Sequence, residues 1–72
     1  MKYLIVIEET DTGFSAYSPD VDGCIATGAT QDEVRQNMKY AMEFQFEGMR
    51  AHQEEIPKPR ASSNYIDLGS PA

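Results

Sequence analysis

The tightest constraint on this chain is a local one, Thr30-Gln31-Asp32-Glu33 followed by Val34, Met38, Ala41, Met42, Phe46 and Met49. A threonine with a glutamate three residues on is a capping box. The hydroxyl accepts a backbone N–H at a helix start and the carboxylate reaches back. Asp32 and Glu33 also stand where the helix dipole favours negative charge. The apolar residues recur at three, four and seven or eight, which at about 100° per residue makes one stripe facing a core. Pro57 and Pro59 cannot continue such a helix, so it is expected to end near Ala51 or His52. Tyr40 and Phe44 fall off the stripe, and exposed aromatics four apart on a helix are candidates for a protein interface. Gly48 weakens the helix by about 1 kcal/mol relative to alanine and marks close packing or fraying.

Ahead of the helix lie three strand signals. Tyr3-Leu4-Ile5-Val6-Ile7 is almost continuously apolar, which predicts a strand covered on both faces. Asp11-Thr12-Gly13 supplies turn chemistry, with Gly13 expected to provide a positive φ. Phe14 to Ser18 alternates, placing Phe14, Ala16 and Ser18 on one face and Ser15 and Tyr17 on the other. Pro19-Asp20-Val21-Asp22-Gly23 reads as a second turn, and Cys24-Ile25-Ala26-Thr27 as a short third strand. After the prolines, Asn64-Tyr65-Ile66-Asp67-Leu68 alternates and predicts a fourth strand. The order β-β-β-α-β is that of an α+β domain, an antiparallel three-stranded meander with one helix packed on the sheet. A right-handed crossover would lay the fourth strand parallel to the first.

Seventy-two residues support only a thin core, and small scaffolds usually lean on disulfides, a metal or a partner subunit. Cys24 is the only cysteine and His52 the only histidine, so neither an internal disulfide nor a zinc site of the usual kind is available. Association is the remaining support, and the chain is expected to be a homo-oligomer, dimer or tetramer. The apolar run at the N-terminus is too short for a signal peptide or a membrane span, so a cytoplasmic protein is expected. Charge is unevenly placed. Residues 1–34 hold seven acids against Lys2, while residues 35–72 hold five acids and five bases, so the whole net charge of −6 lies in the first half. Such a field repels phosphate backbones and attracts basic proteins. Direct nucleic-acid binding is not expected.

Residues for catalysis are not gathered. Two-metal nuclease chemistry needs converging carboxylates. The first strand carries none before Glu8 and Glu9, which would point to opposite faces, and Asp11 and Asp67 lie elsewhere. Cys24 sits two residues from Asp22, and nearby negative charge opposes the thiolate that a reactive cysteine requires. No phosphate-cradling glycine motif occurs. The residues imply no enzyme, no catalytic or metal site and no cofactor.

Met1-Lys2-Tyr3 before an apolar strand, then Gly13-Phe14-Ser15-Ala16-Tyr17, then Pro19 through Gly28 with its Gly23-Cys24 turn, then the Thr30–Glu33 cap, resemble the HicB-like antitoxins. The likeness is clearest as far as about His52. Asp22 stands where the family commonly has proline, and Ala29 where it commonly has an acid. The resemblance implies a truncated ribonuclease H-like fold lacking catalytic acids, with residues 1–68 as one HicB-like domain and 69–72 as a C-terminal tail. It further implies a small basic toxin of the HicA type, with a double-stranded-RNA-binding fold, that cuts RNA. Longer relatives add a DNA-binding domain, and none is expected here. The candidate contacts with the toxin are Glu8, Glu9, Asp11, Asp20 and Asp22 for charge and Tyr40 and Phe44 for apolar contact. The alternatives are an orphan homo-oligomeric binding or sensing domain and, further off, a metal-dependent nuclease.

Overall fold

The computed structural model describes residues 1–70. Three strands precede one helix, β1 (Val6–Glu9), β2 (Phe14–Ser18), β3 (Val21–Gly28) and α1 (Gln31–Ala51). The strands pair antiparallel in the order β1-β2-β3. The α+β meander expected from the sequence is what forms.

Helix α1 is held as its capping residues dictate. The Glu33 N–H donates to Thr30 Oγ1, and Glu33 Oε1 accepts from the N–H of Ala29, both at 3.1 Å. Val34, Met38, Met42 and Phe46 are buried against the sheet with Ala16, Val21 and Cys24, while Ala41 and Met49 pack at the margin. The helix ends in a Schellman arrangement. Gln53 donates to the Arg50 carbonyl and Glu54 to that of Met49, with Gln53 at φ 58°, where glycine is usual.

Between Pro19 and Gly23 the structure departs from the expected turn. Pro19-Asp20 alone forms the connection, since Ser18 pairs with Val21. Asp22 and Gly23 belong to β3 and lie in a bulge between that pair and the Tyr17–Ile25 pair, with Gly23 at φ 73°. Gly13 does not take the positive φ expected of it. It is small because β3 is close, and a Cβ there would fall 2.5 Å from the Gly28 carbonyl oxygen. Gly28 in turn lets the helix start settle on the strand. A Cβ on it would meet the backbone nitrogen of Val34 at 2.6 Å.

Two further expectations fail for one geometric reason. The ladder begins only at Val6, and Tyr3 to Ile7 is half-buried rather than covered on both faces. Residues 64–68 form no strand and are exposed. A strand needs a neighbour to take its backbone hydrogen bonds, and in this single chain the two segments do not meet. Helix α1 lies mainly over β3, so the inner side of the segment leading into β1 is left open. Nothing within 4 Å awaits a Cβ on Gly48, so close packing does not explain that glycine.

Candidate functional site

The helix covers one face of the sheet and leaves the other bare. Val6, Tyr17 and Ile25 occupy paired positions on neighbouring strands, so their side chains form one row across the bare face. Tyr17 and Ile25 are exposed, Ile25 at 72%. Glu8, Ser15 and Thr27 make the next row of the same face, toward the β1–β2 turn. The bulge creates this face. It turns Cys24 inward and so sends Ile25 outward.

The candidate acids are not one cluster. Glu8, Glu9 and Asp11 lie around the β1–β2 turn, with Asp20 and Asp22 at the β2–β3 end. These ends are separated by the five residues of β2, about 15 Å at the usual rise of a strand. Glu8 and Glu9 point to opposite faces, as their adjacency requires, and only Glu8 joins the bare face. Asp20 is turned to a local task. Its Oδ2 accepts the backbone N–H groups of Arg60 and Ala61, both at 3.1 Å, and so ties down the connector after the helix. Asp22 is exposed in the bulge, and its carbonyl accepts from Gln45.

Tyr40 and Phe44 are exposed on the outer side of α1, Phe44 at 79%. They form a second apolar surface, on the opposite layer of the molecule from Tyr17 and Ile25. Ile25 escaped sequence reasoning. Treating Cys24 as a small buried residue would have indicated it, because the next residue on a strand faces the other way.

Among the described residues, no three His, Cys, Asp or Glu side chains gather where they could hold a metal ion. Asp67 is exposed and accepts from the N–H of Gly69. Cys24 is buried, and burial pushes its thiol up from its ordinary pKa, away from a reactive thiolate. No helix among the described residues is long and apolar enough to cross a membrane. What the site offers is contact area, apolar at its centre with carboxylates around it.

Residues 3–68 match the family described as HicB-like antitoxin of bacterial toxin-antitoxin system. A 14.9 kDa protein from the rep-hol intergenic region of Haemophilus phage HP1 is 40% identical over 67 residues, 93% of this chain. The chain spans only 50% of that phage protein's length. The UPF0150 protein Ta0767 of Thermoplasma acidophilum is 32% identical over 62 residues, covering 85% of this chain and 90% of its own. A chain in the solved structure of a HicA3 and HicB3 toxin-antitoxin complex superposes with a TM-score of 0.71. It is 32% identical, over 83% of this chain and 70% of that one.

Proposed function

Because this chain belongs to the HicB-like antitoxins of bacterial toxin-antitoxin systems, we propose that it neutralises a small, basic, RNA-cleaving toxin of the HicA type by lying across the surface with which that toxin grips RNA. The observation that carries this reading is the likeness, in backbone and in sequence, to a chain of a HicA3 and HicB3 complex. The physical argument is competition. A protein that holds a phosphate backbone needs a positive surface, and a module with a net charge of −6 is drawn to that surface and excludes the nucleic acid.

The bare face of the sheet is the docking surface. Tyr17 and Ile25 are its anchors, with Glu8 and Asp11 toward one end and Asp22 toward the other. Few residues carry most of the energy of an interface, and they are characteristically apolar or aromatic with polar groups around them. Tyr40 and Phe44, on the other layer, are left for a different contact. The protein is a cytoplasmic binding module and not an enzyme. Its domain is residues 1–68 with 69–72 as a tail, and its β-β-β-α core is the opening of a ribonuclease H-like sheet.

The test is binding to the product of the adjacent toxin gene, by calorimetry at several salt concentrations. Tyr17→Ala and Ile25→Asp are each expected to weaken binding by about 2 kcal/mol, roughly thirtyfold, whereas Phe44→Asp leaves it unchanged. Affinity should fall as salt rises, since screening shortens the reach of the exposed acids. Asp20→Ala should scarcely alter affinity, because that carboxylate is engaged with the connector. Salt-independent binding, or loss confined to Phe44→Asp, would refute the assignment of this face.

A further inference from the structure

The chain carries a strand without a seat and a seat without a strand. Tyr65, Ile66 and Leu68 are 97%, 84% and 91% exposed, in a segment whose alternation is that of a strand. The radius of gyration is 14.6 Å, against about 11 Å for a compact chain of this length, and the longest dimension is 53 Å. The C-terminal segment therefore stands away from the body as an arm. On the body, a groove of about 510 Å³ opens between the residues leading into β1 and the helix, with Tyr3, Ile5, Met38, Met42 and Phe46 along its apolar lining.

The two sheet edges are treated differently. Along β3, Asn37 donates to the Thr27 carbonyl at 2.8 Å and Gln45 to that of Asp22 at 3.0 Å, so helix side chains occupy strand carbonyls. Among the described residues, no helix side chain does the same for residues 3–7. An uncovered edge beside an apolar groove is a template for another strand.

We propose that the arm of one copy, residues 64–68, pairs with the open edge at residues 3–7 of a second copy, and that two copies exchange arms. Ile66 and Leu68 lie on one face of the arm, two residues apart, as Tyr3 and Ile5 do on the edge, so both pairs meet in the groove. The occupant is a second copy because of where the arm is fixed. Arg60 and Ala61 are held by Asp20, and only Ser62 and Ser63 separate that tie from the arm. A hinge so short, leaving the body on an outward course, favours exchange over folding back. The contact is independent of toxin binding, since it uses neither Tyr17 nor Ile25.

Light scattering on the full chain should give twice its 8.1 kDa mass. Ile66→Asp with Leu68→Asp should give the single mass with an unchanged helical circular dichroism spectrum, because these side chains touch no core residue. Phe44→Asp should stay double. Amides 3–7 should exchange about tenfold more slowly in the wild-type dimer than in the arm variant. A monomeric wild type overturns the proposal, whether amides 3–7 are open, protected by the chain's own arm, or protected only on adding toxin. A dimer that survives the arm variant, or one broken by Phe44→Asp, overturns it as well.

Discussion

The rings of Tyr3 and Phe46 meet with their centroids 5.2 Å apart, tilted by 56°. This contact joins the segment before β1 to the helix, where otherwise only the open groove would separate them. Tyr3 also donates from its hydroxyl to the Pro57 carbonyl, fastening the connector at the same point. The Ser18 hydroxyl, itself buried, donates to the Leu4 carbonyl from the β2 side at 2.8 Å. Tyr3 and Leu4, outside the ladder, are thus held by side chains.

Phe46→Ala should therefore be severe. Truncating a buried phenylalanine costs about 3–5 kcal/mol. A core this small rarely supplies more than about 3–5 kcal/mol in total, so the variant is expected to lose its cooperative thermal transition. Tyr3→Phe keeps the ring and removes one hydrogen bond, for a loss of about 1 kcal/mol in urea denaturation. Equal losses from the two substitutions would mean that the hydrogen bond, and not ring packing, holds this corner.

Two glycines should respond in opposite directions to the same change. Gly28→Ala drives a methyl into the Val34 backbone, which cannot yield without shifting the helix, and should destabilise by about 1–3 kcal/mol. Gly48→Ala meets open space in mid-helix and should stabilise by about 0.5–1 kcal/mol. Thermal midpoints of the two variants beside the parent decide the matter. A stabilising Gly28→Ala would show that the helix does not rest on β3 as described.

Burial raises the pKa of the Cys24 thiol, so the folded protein keeps its proton at a pH where the unfolded chain gives it up. The sign follows. Above the ordinary thiol value of 9.0 the native state binds more protons than the unfolded state, so stability falls as pH rises from there, and below it this thiol has no effect. Cys24→Ala should remove that part of the alkaline decline when denaturation midpoints are compared across pH. Alkylation of the native thiol should also be much slower than that of the unfolded chain, and equal rates would contradict its burial.

The helix and the meander were legible because their signals are local. Thr30 and Glu33 cap within four residues, and the stripe from Val34 to Phe46 needs only the helical period. The separation of Asp11 from Asp20 follows from that meander, whose successive turns fall at opposite ends of the sheet, although the sequence reading puts the five acids in one group. Ile25 was legible only by way of a buried Cys24, because its outward course otherwise depends on where extra residues enter β3, and pairing register is a relation between strands. Residues 64–68 illustrate the same limit. Alternation marks a segment fit to be a strand, but says nothing of whether an edge lies within its reach.

Val21 and Cys24, three positions apart, both face the helix, which a regular strand forbids. The three residues between the paired positions, Asp22, Gly23 and Cys24, act as a phase shifter for everything downstream of them. Deleting Gly23 would bring Val21 and Cys24 to the two-residue spacing of a regular strand, so the cysteine would stay inward and Ile25 outward with no bulge to set them there. A polypeptide so shortened would keep its greasy anchor, whereas inserting one residue beside Gly23, with the bulge kept, would swap that anchor for an oxidisable sulfur.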